Sequence, residues 1–166
     1  MYFYLLTIEA AAVCFDLYKR KIPNPLTAGG LIMGAAYQWS ANGPPGLKDF
    51  ASGALIPLAL LGILHYFRML GAGDIKLLMT AGGFLGPDKS LKCIFLSFLC
   101  AAVISAAVLI KHRNLMRRLK YFFQYIQDYR QSKKWVPYIK CEEDPAYLHF
   151  SMAVCAATIL LSGGIF

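Results

Sequence analysis

The sequence is short of acid and of the motifs that build familiar catalytic sites. It holds nine Asp and Glu against 17 Lys and Arg. It contains no GxSxG, no HExxH and no phosphate-binding glycine loop, so a nucleophile-elbow hydrolase, a zinc metalloprotease and a P-loop enzyme have nothing to rest on. The five cysteines, Cys14, Cys93, Cys100, Cys141 and Cys155, include no CxxC pair. A disulfide framework and a structural zinc site are disfavoured, and the cysteines read as small packing residues. No internal repeat is evident. No basic residue precedes the first apolar segment, which carries Glu9 and has its positive charges behind it, so it reads as a retained helix and not a cleaved signal.

What is abundant is apolar surface: 58% of the 166 residues are hydrophobic and the mean hydropathy is +0.50. The length suits a single membrane-embedded domain over 1–166. Six apolar segments, approximately 1–15, 26–39, 50–67, 75–85, 91–110 and 147–166, predict an all-α polytopic membrane protein with six transmembrane helices. Only the third, fifth and sixth approach the ~20 apolar residues that a spanning helix needs, so the others borrow flanking residues or end in a wet cavity. Asn42-Gly43-Pro44-Pro45-Gly46 predicts an outer turn, with Trp39 as an interfacial anchor. Gly82-Gly83 lets the fourth helix pack tightly or kink.

A net charge of +8 suggests nucleic acid until its distribution is read. With the N-terminus outside, Lys19, Arg20, Lys21, Arg68, Lys76 and nine basic residues between Lys111 and Lys140 lie inside, and only Lys48, Lys89 and Lys92 lie outside. With 14 of 17 basic residues on one side, the positive-inside rule gives an N-out, C-out topology, and no nucleic-acid partner is expected. In the 111–145 connection, Leu115, Met116, Leu119, Phe122, Phe123, Ile126 and Tyr129 recur at helical spacing between Arg113, Arg117, Arg118 and Lys120. This predicts an amphipathic interfacial helix between helices five and six, bound to anionic lipid at about 1 kcal/mol per basic residue. Glu142-Glu143-Asp144 reads as a solvated loop.

Against this background two aspartates stand out. A charge inside an apolar segment costs about 2.5 to 3.5 kcal/mol or more, so such a residue is a functional candidate. Asp74 lies in Gly71-Ala72-Gly73-Asp74-Ile75-Lys76-Leu77, where glycines allow bending and close approach of another chain. Asp16 ends the first helix, before Lys19-Arg20-Lys21-Ile22-Pro23-Asn24-Pro25 breaks it. Alone, Asp16 would simply pair with Lys19 or Arg20. Counted from the outer ends of their helices, however, Asp16 is about 22 Å deep and Asp74 about 18 Å, less than a turn apart. Two carboxylates held together share a proton and titrate as a unit. The ionised member can take a proton from water while its partner donates to a scissile carbonyl oxygen, which hydrolyses an amide without metal or covalent intermediate. His65 reads as a polar anchor more than a proton shuttle. Glu9, seven residues before Asp16, either lines the same cavity or, protonated, hydrogen-bonds a neighbouring helix; the second is expected.

The Asp16 segment running into Arg20-Lys21-Ile22-Pro23-Asn24-Pro25-Leu26 and the Gly71-Ala72-Gly73-Asp74-Ile75-Lys76 stretch, with helix number and orientation, resemble the type IV prepilin peptidases, the bacterial branch of the GxGD intramembrane aspartic proteases. The resemblance implies Asp16 and Asp74 as the catalytic pair and Gly71, Gly73 and Lys76 in support, with no cofactor and no metal. It implies a prepilin, pseudopilin or preflagellin substrate whose short basic leader is cut after a glycine, at the cytoplasmic face of the cell (inner) membrane. Bifunctional members carry a cytoplasmic insertion between the first two helices, where this chain has only a short break. The chain is therefore similar to the short, peptidase-only members of tight-adherence pilus and preflagellin systems, without N-methyltransferase activity. The 111–145 connection is longer than in the smallest of these. Two other classes compete. A small proton-coupled transporter is opposed by the lack of a repeat and by both acids lying toward one face. A non-catalytic scaffold of a pilus or secretion system would tolerate loss of both aspartates.

Overall fold

A chain this apolar satisfies its backbone N–H and C=O groups within helices. The structure, a computed structural model, describes residues 1–19, 21–67, 69–111 and 149–164, and among them there is no strand. The helices are α1 (Tyr2–Lys19), α2 (Asn24–Tyr66), α3 (Ala72–Leu85), α4 (Pro87–Lys111) and α5 (Phe150–Ser162). The expected interfacial helix and the acidic run after it fall outside the described residues. Two compact units are distinguished, Met1–Ala101 with His149–Phe166, and Ala102–Leu148. The described part of the second is the end of α4.

Among the described residues, two helices are long and apolar enough to cross a membrane, Asn24–Tyr66 of 43 residues and Pro87–Val108 of 22. Large apolar side chains on their surfaces face outward, among them Leu55, Ile63, Phe95 and Leu99, each at least half exposed. A helix in water would carry polar residues at such positions.

The 43-residue α2 contains the second and third expected segments as its two halves. They meet at Gly43, whose φ of 63° and ψ of −146° interrupt the helix. A side chain there would be strained, and Pro44 and Pro45 then restart the helix with φ already set. The halves return alongside each other, since a Cβ on Gly34 would stand 2.9 Å from the Phe50 ring and one on Gly46 would overlap the carbonyl of Gln38.

Against this hairpin lies α3. Glycine within a helix costs about 1 kcal/mol relative to alanine, so the glycine pair where α2 and α3 cross must be offset by what it admits. It admits the neighbouring backbone: a Cβ on Gly53 would overlap the carbonyl oxygen of Gly82, and one on Gly82 would overlap that of Gly53. Ser90 of α4 donates to the same Gly53 carbonyl at 2.9 Å, and Gln38 Nε2 donates at 3.0 Å to the Phe84 carbonyl, an orphan of the α3 C-terminus. Gly82-Gly83 thus serves tight packing.

The first and last helices form a second seam. Asp16 Oδ2 accepts from Ser151 Oγ at 2.6 Å, and Glu9 Oε1 accepts from Thr158 Oγ1 at 2.8 Å. The acids are seven residues apart in one helix and the hydroxyls seven apart in the other, in opposite order, so α1 and α5 run antiparallel with a two-turn repeat. Ala12, Ala153 and Ala157 between these rungs are fully buried and let the backbones approach.

Gly53→Ala is expected to destabilise by about 1 to 3 kcal/mol, as other overpacked cores are. Gly62→Ala, at a site in the same helix where a Cβ meets nothing within 4 Å, should leave stability unchanged or raised. Thermal unfolding of the two variants in detergent checks the difference.

Candidate active site

Asp74 owes its place to the start of α3. Gly71 is the N-cap, with extended backbone and no side chain to cap with, and Asp74 is the third helical residue. From there its carboxylate turns back toward the backbone of Gly71, with Oδ2 2.9 Å from where a Cβ on that glycine would stand. This is the position of the acid in a capping box, an N3 carboxylate beside the N–H groups of the first turn. Gly73 has a different neighbour: a Cβ there would lie 3.3 Å from Ile22 Cβ, where the chain passes from α1 to α2. The two glycines therefore do separate work. One leaves room for the Asp74 carboxylate, and the other lets the Ile22 turn close on α3.

Asp16 comes from the last turn of α1 and is 5% exposed. Besides the Ser151 hydroxyl, its Oδ2 has His149 Nδ1 at 3.4 Å. His149 is the N-cap of α5 and Ser151 lies in its first turn, so the positive end of that helix dipole is at this carboxylate. Each acid is thus set at the N-terminus of a helix, and the close approach of Ile22 to Gly73 brings the chain just after Asp16 onto the start of the helix that carries Asp74.

Lys76 faces away from this arrangement. Its Nζ donates to Asn24 Oδ1 at 2.9 Å, tying α3 to the first residue of α2. With His65, whose Nδ1–H donates to the Leu70 carbonyl at 3.0 Å, it stands at the polar end of a cleft of about 490 Å³ whose walls include Leu31, Leu58 and Met79. On α3 that cleft takes Ala72, Ile75, Lys76 and Met79, a stripe that excludes Asp74. The expected polar-anchor role fits His65. Glu9 lies beyond the acid pair, fully buried on Thr158 of the neighbouring helix, as expected. Among the described residues, no three His, Cys, Asp or Glu side chains come together as metal ligands.

Sequence reasoning missed Ser151 and His149. A signal existed: the first and last apolar segments each carry polar residues seven apart, Glu9 with Asp16 and Ser151 with Thr158. Only an antiparallel pairing of segments more than a hundred residues apart in sequence gives that spacing meaning.

Among the described residues the chain is all-helical, and two of its helices are long and apolar enough to cross a membrane. The chain belongs to the type IV leader peptidase family, whose model matches residues 3–106. Over 105 residues it is 30% identical to the type 4 prepilin-like proteins leader peptide-processing enzyme of Escherichia coli O78:H11 (strain H10407 / ETEC), an alignment covering 59% of this chain and 39% of that protein. The chain thus matches well under half the length of that relative. No solved structure matches it.

Thr158→Val keeps the side-chain shape but removes the donor to Glu9, and is expected to cost about 1 to 3 kcal/mol. Adding Glu9→Leu, so that neither polar partner remains, should recover most of that loss in the same unfolding measurement.

Proposed function

We propose that this chain is a membrane aspartic endopeptidase that removes the short basic leader of prepilin-like proteins at the cytoplasmic face, with Asp16 and Asp74 as its acid pair. The observation that carries the reading is that the turn just after Asp16 packs on the residue just before Asp74, a Cβ on Gly73 standing 3.3 Å from Ile22 Cβ, although α1 and α3 are separated in sequence by the whole α2 hairpin. Membership of the leader peptidase family and the similarity to the Escherichia coli leader peptide-processing enzyme support the substrate class. The end of α1, the start of α3 and the start of α5 supply the polar groups around the pair, which supports a site near one membrane face. The orientation is N-out and C-out with six spans, by the charge distribution of the sequence. The short break between α1 and α2 supports a peptidase without N-methyltransferase activity.

In this mechanism the ionised acid removes a proton from a water molecule, whose oxygen bonds to the scissile carbonyl carbon. The protonated acid gives its proton to the carbonyl oxygen. The tetrahedral diol then returns one hydroxyl proton to an acid as the C–N bond breaks, and the leaving nitrogen takes up the proton that makes it an amine. One shared proton thus cycles between the two carboxyls, which is why two are needed. Holding water, acids and carbonyl in this geometry is the larger part of the task.

Asp16→Asn and Asp74→Asn should each abolish leader removal while the protein stays folded in the membrane. Mass analysis of the N-terminus of a co-expressed prepilin checks this, and normal cleavage by either variant rules out the paired-acid mechanism. Failure of the intact, folded protein to process any of several prepilins would move the reading toward a transporter or scaffold. Gly71→Ala, whose methyl would displace the Asp74 carboxylate, should slow cleavage by about tenfold to a hundredfold with little loss of stability.

A further inference from the structure

We propose that Ser151 is a positioning residue for Asp16, and that the last helix, which lies beyond the residues matched by the family, completes the peptidase site. The inference rests on Asp16 being one of the two reacting acids. Its own evidence is separate. Ser151 is fully buried, and its hydroxyl donates to Asp16 Oδ2 at 2.6 Å across a seam between segments remote in sequence. His149 Nδ1 is 3.4 Å from the same oxygen. Among the described residues, both of these neighbours stand at Oδ2 and hold that oxygen in place.

The terminal torsion of an aspartate is broad and roughly two-fold, so a carboxylate without such a contact exchanges its oxygens freely. A hydroxyl fixed on one oxygen removes that freedom. The fixing is itself held in register: seven residues deeper, Thr158 bonds Glu9, and between the rungs buried Ala12, Ala153 and Ala157 keep the helices close. A slip of α5 by one residue would rotate Ser151 off the seam by about 100°. The Ser151 rung thus aims the acid, and the Glu9 rung adds stability to the same seam two turns away.

The test uses the full chain in detergent micelles with a synthetic peptide carrying a basic leader, a glycine and an apolar segment. Ser151→Ala should lower kcat by about tenfold to a hundredfold, the size of a lost hydrogen bond to a charged group, and change KM by less than about twofold. Ser151→Thr, which keeps the hydroxyl, should restore most of kcat. Thr158→Val loosens the same seam away from Asp16 and should lower the unfolding temperature while keeping kcat within about threefold of normal. Unchanged kcat in Ser151→Ala overturns the proposal. So does an equal loss in Thr158→Val, because the effect would then be that of the seam alone. Activity in Asp16→Asn would instead sink the paired-acid reading, which keeps the two failures apart.

Discussion

A carboxyl group taken out of water needs a polar partner, and the arrangement of this chain follows from how three of them are given one. Glu9 and Asp16 receive theirs from Thr158 and Ser151 of α5, and Asp74 turns to the start of its own helix at Gly71. An unsatisfied buried polar group costs about 1 to 3 kcal/mol, more when charged, so only a narrow set of registers between α1 and α5 is tolerable. Apolar contacts alone would not choose among them. Leu5, Ile8 and Leu161 are buried too, but apolar burial is non-directional, whereas each hydroxyl must meet its acceptor within hydrogen-bond distance.

The α2–α3 contact shows a second way of fixing position. There the backbones meet at Gly53 and Gly82, with the Ser90 hydroxyl on the Gly53 carbonyl. Shape decides the register of this pair, and hydrogen bonds decide that of α1 and α5. Between apolar helices in an apolar solvent these are the two available means, since moving a leucine from lipid to protein brings little. The acids lie where the two systems meet, Asp16 on the hydrogen-bonded seam and Asp74 at the beginning of the helix packed by shape.

Placing both acids at helix N-termini also resolves a local conflict. Asp16 belongs to the last turn of α1, the negative end of that helix, an unfavourable place for a negative side chain. The start of α5 supplies the compensating end, together with a hydroxyl and an imidazole. Asp74 is favourably placed within α3 itself. The two carboxylates are thus supported by different means: one by its own sequence neighbours, the other by a partner far along the chain.

Much of this was legible in the residues. Apolar run lengths and the Asn42-Gly43-Pro44-Pro45-Gly46 breaker marked the helices and the bend at Gly43, because backbone conformation there is a local matter of φ and missing N–H groups. Asp16 and Asp74 stood out because a charge in an apolar segment has a cost that needs no structure to estimate. Gly71 and Gly73 were recognised as a pair, but their separate duties, room for a carboxylate and room for Ile22, depend on what approaches each. The direction of Lys76 toward Asn24 was likewise hidden, since its neighbours in sequence do not include the start of α2. Helices, their breaks and the two candidate acids could be read from residue order, because all of them follow from local cost. That Ser151 and His149 attend Asp16, and that α5 takes this register, emerged with the folded chain, because those are distances between segments that the chain order leaves free.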